Sequence, residues 1–349
     1  MNYKFWNNKK VLLTGNTGFK GSWMSMVLLQ LGAKLYGFSE RDNTNDIFFK
    51  TLGLNTKHRT FYGDISNYKK FNKIYNKIKP DIVIHMAAQP YVKKSYKIPL
   101  KTINDNVMGT VNVLEAIRNN QSPKMTLIIT SDKCYQNNEI KNYFKEGDSL
   151  GGSDIYSASK SMAEIVCKSY YDSFEDLGNI ITLRAGNIFG GGDFGENRLL
   201  PDYFKSIFNK KKFIIRSPYS VRPWQYILRP ISSYIKIVEK TYSKSKYFDT
   251  FNIGPDKKFH LKVIELIKKL DQINNIKKSY IIKKSNFKES KILQLDNKKF
   301  EKFLPCKKEY SMEECLNYTN KWYFLFKEKN KKELYEFTNN HIKNYFSNI

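Results

Sequence analysis

Two groupings in this 349-residue chain have the residue types and spacing to move protons. Tyr156 and Lys160, in Tyr156-Ser157-Ala158-Ser159-Lys160, stand four residues apart and share one face of any helix that carries them. A phenol is a poor base at its reference pKa of about 10, roughly three units above neutrality. Lowering it that far takes about 4 kcal/mol of preferential stabilisation of the phenolate, which a neighbouring ammonium helps to supply. The second grouping, Thr130-Ser131-Asp132-Lys133-Cys134-Tyr135, sets a hydroxyl, an acid and an amine side by side after an apolar run. Ser131 can bridge Tyr156 to a substrate hydroxyl, and Asp132 beside Lys133 offers a proton donor and a proton acceptor. Each grouping has an ordinary reading when taken alone: a solvated helix face for the first, a turn with a salt-bridging pair for the second.

A third motif changes that balance. Thr14-Gly15-Asn16-Thr17-Gly18-Phe19-Lys20-Gly21 lies between an apolar run and helical text. Glycines at this spacing permit a tight turn and close backbone approach, with a pyrophosphate resting on the helix N-terminus. The motif predicts a dinucleotide cradle, and an oxidised nicotinamide is a second cation that lowers the Tyr156 pKa. Asp64, in Gly63-Asp64-Ile65, suits an adenine amino group. Ser39, Glu40 and Arg41 close the second strand, where an acid suits a ribose diol and an arginine a 2′-phosphate, so NAD over NADP is a lean.

The elements that must position these residues alternate. Strands are expected at Val11–Thr14, Lys34–Phe38, Arg59–Tyr62, Asp81–His85, Thr126–Thr130 and Ile180–Arg184. Helices are expected at Ser22–Leu31, Tyr68–Ile78, 98–119 and Asp154–Phe174. That rhythm makes βαβ units and an α/β, doubly wound parallel (Rossmann) sheet. The alternation fades after about residue 187, ending in helices over 311–328 and 331–347. The expected division is a dinucleotide-binding domain at 1–186, with part of 223–255 returning to it, and a smaller substrate-binding lobe at 187–349.

Composition narrows the partners. Hydrophobic content of 41% with 15% aromatics excludes a disordered chain. The formal charge of +27 invites a nucleic-acid reading, but it comes from 52 Lys and only 8 Arg, spread along the chain. Base and phosphate recognition favours the planar arginine fork, so a lysine surplus is weak support for it. Half of the arginines (Arg198, Arg216, Arg222 and Arg229) bunch within 32 residues, where bidentate phosphate gripping is one reason to place them; for Arg229 a structural ion pair is at least as good a reading. Cys134, Cys167, Cys306 and Cys315 form no CxxC pair and His58, His85, His260 and His341 are scattered, so no metal site is expected. No run reaches the roughly 18 apolar residues of a membrane span, and Met1–Lys10 has no signal-peptide character, so the expectation is a soluble cytoplasmic protein.

TGxxGxxG, His85–Gln89 (HMAAQ), Asp105–Ala116 (DNVMGTVNVLEA) and YSASK together resemble the extended short-chain dehydrogenase/reductases that act on nucleotide sugars. Within that group, Thr14–Ser25, Thr130–Asn137, Arg184–Asp193, Asn197–Asp202 and Val221–Leu228 are similar to the CDP-glucose 4,6-dehydratase family, with similarity along nearly the whole chain. The resemblance implies NAD, held by Gly15, Thr17, Gly18, Phe19, Gly21, Ser39, Asp64, Ile65, Ala87, Ala88, Gln89, Asn106, Tyr156 and Lys160. It implies oxidation of the hexose C4 hydroxyl, loss of water across C5–C6 and return of the hydride to C6, in deoxysugar and surface-polysaccharide synthesis. Tyr156 then takes the C4 proton, assisted by Ser131 and Lys160, and Asp132 protonates the departing C6 hydroxyl. Lys133 stands where thymidine-type relatives carry a glutamate base. It acts as base only if neighbouring cations disfavour its charge, and orienting Asp132 is its alternative role. Gln89, Asn187, Arg198, Leu200, Arg216 and Arg222 are the implied contacts to CDP-glucose, and a homo-oligomer is expected.

Three rivals stand beside this reading. A 4-epimerase shares the cradle and YxxxK but needs no acid at position 132. A dehydratase for another nucleotide sugar differs only in loops that read the base. A basic nucleic-acid-binding protein predicts clustered arginines and stacking aromatics on one face, and leaves Ser131, Asp132 and Tyr156 unexplained.

Overall fold

Val11–Leu13, Ile82–Ile84 and Leu127–Ile129 are apolar without alternation and fully buried, as strands covered by helices on both faces must be. The computed structural model describes residues 2–41, 46–121, 123–137, 143–283, 294–305 and 310–348; Cys306 lies outside them. Seven parallel strands form the central sheet: β1 (Lys10–Thr14), β2 (Lys34–Ser39), β3 (Arg59–Tyr62), β4 (Ile82–His85), β5 (Met125–Ile129), β6 (Asn179–Ala185) and β7 (Phe248–Ile253). Their order is β7-β6-β5-β4-β1-β2-β3. Leu12 faces Tyr36 on one side and Val83 on the other, so the order reverses at β1. Chains leave β1 and β4 in opposite directions there, which opens a crevice at their carboxyl ends. The fold is the doubly wound α/β class expected.

The last strand is less visible in the sequence. β7 pairs with β6 from Phe248↔Ile180 to Ile253↔Ala185, yet its text FDTFNI is half polar. Those polar residues are used locally: Thr250 Oγ1 meets Thr182 Oγ1 at 2.8 Å, and Asn252 Oδ1 accepts from the Tyr135 hydroxyl at 2.6 Å.

The helices that bear on the site are α1 (Phe19–Gln30), α2 (Tyr68–Ile78), α3 (99–118), α4 (Ile155–Ser173), α5 (Leu199–Phe208), α6 (Leu228–Thr241), α7 (Met312–Lys327) and α8 (Lys331–Asn348). α2 follows directly from its sequence. Asn67 caps it by accepting from Lys70 N, and Phe71, Tyr75 and Ile78 recur at helical spacing and are buried. Lys79 then turns left-handed ahead of Pro80. α3 departs from the continuous α-helix expected: Asn104–Met108 is a π-turn between Pro99–Ile103 and Gly109–Arg118. Such a widened turn re-aims one side chain, here Asn106.

The C-terminal helices brace the chain between β6 and α5. Trp322 on α7 is buried against Phe48, with ring centroids 5.2 Å apart, and packs against Gly191. Burying a ring of this size is worth roughly 2–3 kcal/mol. Tyr323 donates to the carbonyl of Asp193, and Trp23 Nε1 donates to that of Gly191 at 2.9 Å. α1 and α7 thus fix the loop that precedes α5. On α8, His341 stacks on Tyr318 with centroids 3.7 Å apart. Among the described residues, no helix is long and apolar enough to cross a membrane.

Burial holds three imidazoles neutral: His58 is lowered to about 4, His341 to about 3, and His85 to about 3 with Lys160 adding to the effect. Because their folded pKa values lie below the unfolded value, their contribution is complete above about pH 6.5 and is lost as pH falls through about 4 for His58 and about 3 for His85 and His341. Unfolding at pH 5.5 therefore takes up protons at these sites, each costing up to about 1.4 kcal/mol of stability per pH unit. Urea unfolding midpoints should drop from pH 7.5 to pH 5.5, and His341→Gln should flatten that dependence. An equal slope in the variant would show that His341 titrates freely in the native state.

Candidate active site

A cleft of about 1080 Å³ opens at the carboxyl ends of the strands. It exceeds the usual single-ligand pocket and has room for a dinucleotide and a second nucleotide. Its floor is the turn between β1 and α1. Gly18 caps α1 in an extended conformation and offers no side-chain acceptor, and Phe19, Lys20 and Gly21 of the first turn line the cleft. A Cβ on Gly21 would lie 2.0 Å from the Gly15 carbonyl oxygen, so only glycine lets turn and helix close. The result is an anion cradle of backbone N–H groups with the helix dipole behind it.

Buried hydrogen bonds set the cradle's height. Thr14 Oγ1 accepts from Met86 N and Ala87 N, both at 3.1 Å, and so donates to His85 Nδ1 at 2.7 Å. Thr110 donates to the Asn106 carbonyl, which leaves His85 Nε2 as the donor to Thr110 Oγ1 at 3.3 Å. Neutral His85, protonated on Nε2, therefore joins β1 to α3 beneath the cleft.

At the β2–β3 end, Asp64 Oδ1 accepts from the Ser66 N–H and hydroxyl. Burial alone would raise its pKa, but those bonds and Lys101 outweigh it and hold the carboxyl below its ordinary value. Lys101 also pairs with Glu40 at 3.3 Å and Asp105 at 3.1 Å. Arg41 lies 4.7 Å over the Tyr62 ring, while Glu40 lines the cleft. Ser39 Oγ accepts from Thr17 N at 3.3 Å.

At the β5 end, Ser131 turns the chain into a 3-10 turn, Asp132–Cys134. Ser131 Oγ accepts from Lys133 N at 3.2 Å and donates to Asp132 Oδ1 at 3.0 Å. A Cβ on Gly186 would come within 2.5 Å of Asp132 Oδ2, so a side chain there would displace the carboxylate. Across from this turn, Asp154 caps α4 by accepting from Ser157 N at 3.0 Å, and α4 carries Tyr156 into the cleft wall. Burial pushes the Tyr156 hydroxyl up to about 12; a hydrogen bond with Ser131 and the Arg198 charge oppose this, while Asp132 and Asp154 add to it. Lys160 is lowered to about 8 by burial, against the pull of Glu164 and Cys134.

The cleft gathers Gly15, Thr17, Gly18, Phe19, Gly21, Ser39, Asp64, Ile65, Ala87, Ala88, Ser131, Asp132, Lys133, Tyr156, Asn187, Arg198, Leu200, Arg216 and Arg222. Gln89, Asn106 and Lys160 are buried behind its wall. Gln89 spends its amide on Tyr91 and Thr102, and Asn106 receives Gln89 N at 2.7 Å while donating to Ser159 Oγ at 2.8 Å. The π-turn thus ties α3 to α4 one residue from Lys160. Arg198 pairs with Asp193 at 3.0 Å and lies 5.3 Å over the Tyr91 ring, while Arg216 Nη1 donates to Asn197. Arg229 is buried, donating to the Gly254 carbonyl and pairing with Asp256 at 3.6 Å. Among the described residues, no cluster of His, Cys, Asp and Glu has metal-binding spacing.

Sequence reasoning missed Lys20. It lines the cleft, and burial, Lys160 and Arg198 lower it to about 7, opposed by Asp132. The available signal was a lysine inside a glycine turn, but its reach towards Asp132 depends on how α1 meets β5.

The family model described as GDP-mannose 4,6 dehydratase matches residues 12–319. The chain belongs to that family. It is thereby an extended short-chain dehydrogenase/reductase of the nucleotide-sugar 4,6-dehydratase group, a hydro-lyase. The CDP-glucose 4,6-dehydratase of Salmonella typhimurium is 41% identical over 259 residues, 72% of each chain. The dTDP-D-glucose 4,6-dehydratase of Dictyostelium discoideum is 31% identical over 76% of this chain and 62% of that protein. Solved structures share the fold: dTDP-glucose 4,6-dehydratase from Bacillus anthracis in complex with NAD (TM-score 0.76, 21% identity, 94% of this chain and 99% of that one) is one. The UDP-glucose 4-epimerase of Thermotoga maritima is another (TM-score 0.80, 21% identity, 91% and 99%). Fold likeness therefore does not separate dehydratase from epimerase; the sequence match does.

Proposed function

We propose that this dehydratase converts CDP-glucose to CDP-4-dehydro-6-deoxyglucose and water with bound NAD, in the cytoplasm. The observation that carries the reaction is the meeting of Ser131, Asp132, Lys133 and Tyr156 in one cleft, with Ser131 hydrogen-bonded to Tyr156 and an acid where an epimerase needs none. The 41% identity to a CDP-glucose 4,6-dehydratase supports the base and sugar.

The residues present fit the cofactor. The Gly21 cradle would receive a pyrophosphate, Asp64 an adenine amino group, and Glu40 a ribose diol, while Arg41 is laid over the Tyr62 ring and does not line the cleft. Bound NAD would supply the hydride acceptor for C4 and the hydride donor for C6. Burial, with Asp132 and Asp154 adding to it, holds the Tyr156 proton, and the Ser131 hydrogen bond and the Arg198 charge oppose it; in this proposal Lys160, one turn further along α4, draws the phenol towards phenolate. Tyr156 then removes the C4 hydroxyl proton. The 4-keto group acidifies C5–H, Asp132 protonates the leaving C6 hydroxyl, and Lys133, in the same turn, takes the C5 proton and returns it to C5 when the hydride is delivered to C6. Arg198, Arg216 and Arg222 lie on the same cleft and hold the diphosphate, with Asn187 and Leu200 beside them.

Incubation with CDP-, dTDP-, GDP- and UDP-glucose tests this directly. CDP-glucose should give the 4-keto-6-deoxy product with no net consumption of NAD. Preference for another nucleotide would overturn the substrate and leave the reaction class; a 4-epimer without loss of water would overturn both.

A further inference from the structure

Glu164 stands one turn beyond Lys160 on α4, and its carboxylate reaches into the sheet instead of solvent. Its Oε2 accepts from Arg184 Nη2 at 2.9 Å and Thr182 Oγ1 at 2.7 Å, and its Oε1 from Thr130 Oγ1. Only 2% of the Glu164 side chain and 5% of that of Arg184 is exposed. Arg184 passes the connection on: Nη1 donates to the Tyr135 hydroxyl at 2.8 Å and the Glu146 carbonyl at 3.1 Å. One buried ion pair therefore joins α4 to Thr130, the residue before Ser131, and to Tyr135, which ends the Asp132 turn.

Lys160 makes no hydrogen bond or ion pair of its own among the described residues. The titratable and charged groups that act on it are Glu164 on α4, Cys134 from the turn after β5, Lys20 from α1 and His85 from β4, and Tyr156 stands one turn before it on α4. Burial pushes the Cys134 thiol well up and keeps His85 neutral, so Glu164 is the anion in this set. A buried ammonium without a counter-charge would tend to lose its proton, and with it the means to stabilise a phenolate.

We propose that Glu164 is a positioning residue: it is the buried counter-charge of Lys160 and, through Thr130 and Arg184, the tie that holds the Ser131–Asp132 turn against α4. Proton uptake by Tyr156 and proton donation by Asp132 are then organised by one carboxylate that touches neither substrate nor cofactor. The inference rests on the roles given above to Lys160 and Tyr156.

Side-chain NMR titration of the isotope-labelled lysines tests it without turnover, with the Lys160 signal assigned by its loss in Lys160→Met. In Glu164→Gln, Lys160 should titrate about one pH unit lower, a tenfold rise in its ratio of neutral to charged form. Glu164→Gln leaves Arg184 unpartnered and risks unfolding, so Glu164→Met/Arg184→Met is the second variant. Apolar replacement of a whole buried pair is commonly tolerated, and Lys160 should again move down. With nucleotide sugar, the alkaline limb of the kcat profile should move down by the same unit. Lys160 titrating unchanged in both variants would overturn the proposal, as would a kcat lowered equally at every pH. Absence of turnover by the unaltered protein would instead overturn the dehydratase reading, and the lysine titration would still decide this one.

Discussion

Asp132→Asn should cut formation of the 4-keto-6-deoxy product by about 10²–10⁴-fold while leaving the oxidative half-reaction in place. Asparagine keeps the shape of the carboxylate and can still accept from Ser131 Oγ at Oδ1, so the turn and its contact with Gly186 are preserved. What it lacks is a proton to give a departing hydroxyl. Expelling hydroxide unassisted is the harder course, so the reaction should stall after C4 oxidation. In a single turnover, absorbance of the reduced nicotinamide should rise and persist, where the unaltered protein shows at most a transient. Normal product release by the variant would remove Asp132 from the acid role and point to Lys20 or Lys133, which share the cleft wall.

Tyr156→Phe should fail one step earlier. The ring fills the same volume and removes a hydroxyl whose proton burial holds to about pH 12, so folding should survive. Without an acceptor for the C4 hydroxyl proton, neither reduced nicotinamide nor product should form above roughly 10⁻³ of the unaltered rate. The two variants thus separate the halves of the reaction: both lose product, and only Asp132→Asn accumulates reduced cofactor. Binding of nucleotide sugar, measured by calorimetry, should persist in both. A Tyr156→Phe protein that still reduces its cofactor would transfer the base role to Ser131 or Lys20.

Much of the molecule was legible because its signals are local. The apolar runs at β1, β4 and β5, the cap and periodicity of Tyr68–Ile78, and the glycines of the cradle each express a rule that operates within a few residues. β7 was obscure because its polar residues answer to Glu146, Thr182 and Tyr135, far away in sequence. The π-turn in α3 was obscure for a related reason, since the contacts of Asn106 with Gln89 and Ser159 favour it and no propensity signals it. Glu164 lies at helical spacing after Tyr156 and Lys160, yet spacing alone does not tell a solvated acid from one locked to Arg184.

The sequence by itself determined the fold class, the glycine turn after β1, and the residue types at Ser131, Asp132, Lys133 and Tyr156 to which we assign proton transfer. These depend on backbone requirements and on residue types at short spacing. Tertiary structure alone decided that Lys20 lines the cleft beside Asp132, that Gln89 and Asn106 serve the walls, and that Arg229 is held in the interior apart from the other clustered arginines. It also set the charge states, because burial and unlike neighbours from distant strands fix them: Tyr156 upward, Lys160 and Lys20 downward. Solvation and Coulomb forces act through space, and no spacing along the chain encodes the distance between α1, α4 and the end of β5.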